Sequence, residues 1–307
     1  MIGYEGWVAT GSGFELELPS SYLELKEGAE RRIKEAVAKH PKARKVWEHV
    51  RDDPEVNACW DAANFIAVAK LNYNDHGEVH AKVVAANALE MLGLLLDAGV
   101  LPDVMRERAG DEDDVYLIVL AASSLHDIGN QVHRELHSLH STYLAIPILN
   151  RLLPLVYGDA EKMYGIRGYI LHAIYVHGAE VRDLTIEAAL VGIADGTDMT
   201  KGRGRLAFDT ENVNIHTVSA LSIERVRMVE GAERPIEIRV EMSNSAGVFQ
   251  AQEILMPKIS HSPLEDYVDV RAVTVPEGDR DVRIVRRLSI RRGRIVPHQA
   301  RKVGAQR

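Results

Sequence analysis

At 307 residues, 46% hydrophobic and 27% charged, the chain has material for one large or two ordinary domains of a globular protein that folds without staples. A single cysteine, Cys59, excludes an internal disulfide, and no apolar run is long enough to cross a bilayer, the strongest (88–96) being broken by Glu90. The net charge of −8 is uneven: 280–307 hold ten Lys or Arg against the single acid Asp281, while the start, with Glu5, Glu15 and Glu17, lacks the basic opening of a signal peptide. These features predict a cytoplasmic protein whose basic end either solubilises the chain or meets nucleic acid or an acidic partner.

Residues 1–18 alternate weakly, as a short strand or an irregular start would. From 22 to about 49, Glu, Lys, Arg and Ala with spaced Leu, Ile and Val predict an exposed helix. Asp53-Pro54 opens the next, reaching about 71, since proline suits a first helical turn. The polar stretch 72–80 leads into a long helix with His80, Val83, Val84, Asn87, Met91, Leu94 and Leu95 on one face, ended by Gly99 and Pro102. An acidic start at 111–114 precedes an apolar helix whose stripe of Val115, Ile118, Val119 and Ala122 continues to His126, with Gly129 as its stop. A helix from about His133 carries His133, His137, His140, Ser141, Leu144 and Ile148 along one side. Helices over 161–177 and 186–199 follow, the first aligning Ile166, Ile170, Ile174 and His177, the second Ala188, Val191, Asp195 and Asp198.

Beyond about 208 the texture changes to β-branched, period-two segments at 218–228, 236–242 and 267–275, with a short helix over 245–255 and a further strand over 282–290. The fold class is therefore mainly α, a helical bundle followed by a small α+β domain. The boundaries read as an N-terminal extension (1–20), a helical domain (21–208), the α+β domain (209–290) and a basic tail (291–307).

His80, His126, Asp127, His137, His177 and Asp195 all fall on inward faces. A lone inward histidine is ordinarily a satisfied core residue. Six converging nitrogen and oxygen donors would instead bury several ionisable groups at real cost, which a bound metal relieves. Imidazole with carboxylate suits Mn, Fe, Zn or Ni.

His80 in His76-Gly-Glu-Val-His80, the pair His126-Asp127 in Leu-His-Asp-Ile-Gly and Asp195 in Ile-Ala-Asp-Gly-Thr-Asp resemble the HD-domain superfamily of metal-dependent phosphohydrolases over about 70–205. The resemblance implies an enzyme that hydrolyses a phosphomonoester or phosphodiester, a nucleotide first among candidates. His137 and His177 are similar to the added histidines of dinuclear members, which implies two divalent ions, with Asp127 bridging them and, with His126, central to attack by an activated water. His137 is favoured over His140 as the ligand. His76 is an additional candidate for a third metal or a substrate contact, and Asp198 for orienting a ligand. His133, Arg134, Lys201, Arg203 and Arg205 are the expected phosphate contacts. Asn130 stands where the cyclic-dinucleotide branch carries Lys, and no Gly-Tyr-Pro motif follows His177, which argues against such a substrate. The Pro-Phe-x-His segment of the deoxynucleoside triphosphatase branch is missing too. Two competing readings are a nucleotide-sensing or RNA-binding regulator on an HD scaffold and a di-iron oxygenase of HD type. A homodimer and a nucleic-acid contact through the tail complete the partner expectations; no membrane contact is expected.

Overall fold

The computed structural model describes residues 7–9, 15–17, 20–71, 73–200, 219–275, 287–291 and 294–297. Two short antiparallel strands, β1 (Trp7–Ala9) and β2 (Glu15–Glu17), precede a helical part. The stretch expected as one helix over 22–49 is two, α1 (Ser20–Ala36) and α2 (Pro41–Asp52), because Pro41 begins a new first turn. The Pro54 helix, α3 (Pro54–Asn64), is capped by the Asp53 carboxylate and loosens into a π-helical segment, Phe65–Lys70. Then come α4 (Glu78–Asp97), the short α5 (Asp103–Arg106), α6 (Glu112–Leu125), α7 (His137–Leu152), α8 (Ala160–Val176) and α9 (Ile186–Thr197).

At the centre lies α6, with every residue from Asp114 to Leu125 buried. A helix sealed on all sides carries no polar stripe, so its ends have to place the polar groups. Its start is fixed by a reciprocal capping box between Asp111 and Asp114. Near its end, the Trp60 indole N–H of α3 donates to the Ser124 carbonyl at 2.9 Å. Among the described helices, α4 alone has the length and apolarity to span a bilayer, and 72% of its apolar window is buried inside the fold. The Asn87 amide ties α4 to α9 through the Thr197 hydroxyl at 2.8 Å.

The C-terminal part is a five-stranded sheet in the order β3 (Ile223–Glu230), β4 (Ile236–Met242), β5 (Val268–Thr274), β6 (Arg287–Arg291) and β7 (Arg294–Pro297). Neighbours are antiparallel except β4 and β5, which run parallel and are joined across a helical stretch over 245–260, called α10 here. The expected strand–strand–helix–strand order is present. The fourth strand, read over 282–290, is described as β6 from Arg287 on, with 282–286 outside the described residues, and β7 lies within the residues read as the tail. Alternation along β5, with Val268, Val270, Ala272 and Thr274 buried, directs one sheet face inward. The α10 stretch packs on α9, burying Leu255, Met256 and Ile259.

One buried cation stands between α1 and α4. The Lys82 ammonium is 2.7 Å from Glu30, also pairs with Glu78, and lies about 6 Å from the rings of Trp47 and Trp60. Burial works to raise the Glu78 carboxyl, but Lys82 and Lys26 overcome it and hold it below its ordinary range. Lys82→Met would leave those carboxylates beside an apolar side chain. Because Glu30 and Glu78 keep some solvent contact, the expected loss is about 2–3 kcal/mol, below that of a fully buried pair, and urea unfolding measures it.

Candidate metal centre

The candidate donors come from ends of elements rather than their middles. His80 lies in the first turn of α4, whose start is held by Asp75: one carboxylate oxygen accepts from the Gly77 N–H and the other from the His80 N–H. His126 and His177 are the residues that terminate α6 and α8, and His137 opens α7. Asp127 leads into a 3-10 turn, Ile128–Gln131, and Asp195 lies on the last turn of α9.

These six side chains converge. His80 Nε2 is 3.2 Å from His126 Nε2, 3.1 Å from Asp195 Oδ1 and 3.3 Å from Asp127 Oδ2. His137 Nε2 is 3.1 Å from His177 Nε2, and these two lie 3.4 and 3.7 Å from Asp127 Oδ1. One carboxylate thus turns each oxygen toward a different pair of imidazoles. The two halves adjoin, the rings of His126 and His177 meeting edge to face at 4.8 Å. Donor atoms of His80, His126 and Asp195, and again of His126, Asp127 and His177, lie close enough to hold a metal ion. His80 and His126 are fully buried, whereas the side chains of His137 and Asp195 are 14% and 19% exposed, so solvent meets the cluster on their side.

The other ring nitrogens show that the donor set fits a metal. Nδ1 of His126, His137 and His177 lies 2.8, 3.1 and 2.7 Å from the carbonyls of Ser123, Arg134 and Ile174, each three residues back. Nδ1 of His80 lies 2.7 Å from the Asp198 carboxylate. Carbonyls and carboxylates only accept, so in each ring the proton sits on Nδ1, and in a neutral ring Nε2 presents a lone pair. Lone pairs 3.1–3.2 Å apart repel in pairs unless a cation is shared between them.

The electrostatics agree. Burial alone would raise the Asp127 carboxyl, but the imidazoles of His126, His76, His80 and His137 hold it well below its ordinary range. Burial would likewise raise Asp195, and the Lys258 ammonium with His126 and His80 overrides it. Burial depresses His137 and, strongly, His177, which keeps both rings neutral and able to ligate.

The remaining candidates divide. The Asp198 carboxylate accepts from His80. The buried His76 ring is 5.6 Å from that of His80, with Nδ1 against the Asn74 carbonyl. Arg134 stands at the rim, its guanidinium 3.1 Å from Asn130 Oδ1, 3.9 Å from Asp127 Oδ1 and over the Tyr73 ring. His133 is exposed, and its ring accepts the Glu135 N–H. It leaves the expected stripe because α7 begins at His137, after Leu136 in the left-handed conformation (φ 58°). His140 packs against Gly129, and its Nδ1 is buried with no hydrogen-bond partner among the described residues. Lys201, Arg203 and Arg205 lie outside the described residues.

Two side chains that hold the donors, and one buried carboxyl, escape a reading of the sequence. Asn130 Nδ2 donates to both the side chain and the carbonyl of Asp127 at 2.9 Å. Lys258 of α10 reaches Asp195. Asp183 is buried, with Oδ1 unpartnered among the described residues. Asn130 was findable, since an amide three residues after an aspartate in a tight turn is well placed to fold back on it. Lys258 and Asp183 carried no local signal.

Two substitutions test this construction. A Cβ on Gly129 would lie 2.1 Å from the His137 carbonyl and 2.4 Å from the Ser141 nitrogen, both backbone atoms. Gly129→Ala should cost at least about 3 kcal/mol, since the turn could no longer lie flat on α7, and calorimetry with metal analysis should show His137 displaced. Burial pushes the Asp183 carboxyl up to about 7, with Lys258 pulling the other way. Between about pH 4 and 7 the native chain keeps a proton that the unfolded chain has lost, so stability falls across that window by roughly 4 kcal/mol and is flat above it. Asp183→Asn should remove that decline, so the variant melts above the wild type at pH 8 and gains nothing at pH 4.

No family model matches the chain, and no solved structure matches it. The uncharacterized protein MJ1020 of Methanocaldococcus jannaschii is 46% identical over 227 residues, which cover 74% of this chain and 87% of that protein. With identity at that level across most of both chains, this chain belongs to the family of the protein MJ1020 of Methanocaldococcus jannaschii.

Proposed function

We propose that the chain is a metal-dependent phosphohydrolase of HD type, holding two divalent transition-metal ions and hydrolysing a phosphomonoester or phosphodiester, a nucleotide first among candidates. The observation that carries this reading is the division of Asp127: Oδ1 faces His137 and His177 while Oδ2 faces His80. A shared carboxylate between two histidine-rich halves is the donor set that a pair of ions would take, with Asp195 completing the half that holds His80 and His126.

Bound there, the ions would lower the pKa of a water toward neutrality and offset charge on phosphoryl oxygens. Asn130 holds the Asp127 carboxylate in one orientation, and the carbonyls behind the histidines fix their rings. Asn130 also anchors Arg134 at the open rim, where a planar guanidinium is suited to pair with two oxygens of a phosphate. The buried walls of α4 and α6 keep bulk water from the far side of the cluster. His76, beside His80, is the candidate for a third metal donor or a substrate contact.

Metal content of protein purified without chelator, read beside hydrolysis of bis-p-nitrophenyl phosphate, tests the proposal. About two Mn, Fe, Zn or Ni per chain are expected, with hydrolysis that EDTA removes and Mn2+ restores. Asp127→Asn and His126→Ala should fall to background while retaining the native circular dichroism. His137→Ala should bind one ion fewer; unchanged stoichiometry would hand that role to His140. Two irons with a mixed-valent signal and no hydrolysis would point to the oxygenase, and no metal after reconstitution would sink the reading.

A further inference from the structure

A lysine from the C-terminal part is built into the metal centre. Lys258 Nζ donates to Asp195 Oδ2 at 2.8 Å and to the His177 carbonyl at 2.6 Å, and the residue is only 9% exposed. One ammonium therefore grips a residue on each side of the cluster. Asp195 offers Oδ1 to His80 Nε2 at 3.1 Å and to His126 Nε2 at 3.8 Å, while His177 turns Nε2 toward His137 and Asp127.

The packing that admits the lysine is specific. Gly196 of α9 has no side chain where the lysine stem crosses; a Cβ there would lie 2.9 Å from Lys258 Cδ and 3.3 Å from Leu255 Cδ1. One turn earlier, a Cβ on Gly192 would lie 3.2 Å from the His177 carbonyl, so the same face of α9 also receives the end of α8. Burying an ammonium is costly unless its partners are in place, and here they are a carboxylate and a carbonyl at a helix C-terminus, where the macrodipole favours a cation.

We propose that Lys258 is a positioning residue of the metal centre: by occupying Asp195 Oδ2 it confines that carboxylate to a single donor oxygen, and by holding the His177 carbonyl it couples seating of α10 to metal loading. The role rests on the metal reading proposed above. Without the lysine, Asp195 is free to rotate or to offer both oxygens, and the end of α8 loses its tie to α10. Seating of the C-terminal part and occupancy of the centre then form one linked equilibrium, in which each strengthens the other.

The test uses the full chain and Co2+, whose binding is followed by stoichiometry, titration and the visible d–d absorption band. Wild type should take up two ions. Lys258→Met should weaken the tighter phase roughly 10- to 100-fold and alter the band, as loss of an orienting partner does, and Lys258→Arg should recover part of both. If the lysine acts through Asp195, the effect of Lys258→Met should shrink in an Asp195→Asn background. Should Lys258→Met not fold, Gly196→Ala, whose Cβ crowds the lysine stem most closely and Leu255 less so, carries the same expectation. Wild-type affinity and band in Lys258→Met, or effects that simply add to those of Asp195→Asn, would overturn the proposal while leaving the metal centre standing. A wild-type chain that takes up no Co2+ would overturn the metal centre and this role together.

Discussion

Two carboxylates and four imidazoles, enclosed in a helical core with their donor atoms 3–4 Å apart, form an arrangement that positive charge makes stable. Much else in the helical part answers to that constraint. The helix ends are where the chain can meet it, because there the backbone leaves carbonyls without intrahelical partners. His126 and His177 each follow the last helical residue and set Nδ1 on the carbonyl three residues back, and His137 does the same on the turn before α7. A single local device thus absorbs free carbonyls, fixes the tautomer and aims Nε2 inward. His80 has no such helix end and uses Asp198 instead, which binds the start of α4 to the end of α9.

That device explains what was legible in the sequence. His80, His126, His177 and Asp195 follow apolar stripes of helical period, and each stripe survives folding because its helix buries the same face that the pattern marks. The mainly α character and the small α+β part following it were likewise readable, since the period changes from helical to two near the start of β3. Extrapolating a stripe across a break failed. His133 looked in phase with His137, yet Leu136 reverses the backbone hand and α7 begins one residue later. The single helix over 22–49 failed for the same reason, at Pro41.

What the sequence could not show is contact between distant segments. Lys258 lies 63 residues from Asp195, in a helical stretch of short pieces with no sustained amphipathic period. Its partner signal is two glycines four residues apart on α9, which look unremarkable until the end of α8 and α10 are seen to press on them. Asp183 is silent in the sequence in the same way, its burial owing to tertiary packing alone.

The charges around the centre bear on what it would bind under the proposed function. Asp127, Asp195 and Asp198 are opposed by the Lys258 ammonium, and burial keeps His137 and His177 neutral, so with every ligating imidazole neutral the protein would contribute a formal charge of about −2. Two divalent ions would turn this to about +2, with Arg134 adding to it at the rim. A neutral substrate would leave that excess unanswered in a buried site, whereas a phosphoryl group carrying two negative charges would close it. Lys258 matters to this balance as much as to geometry: without it the protein's own carboxylates would take up one more of the ions' charges, and the attraction left for an anionic substrate would fall.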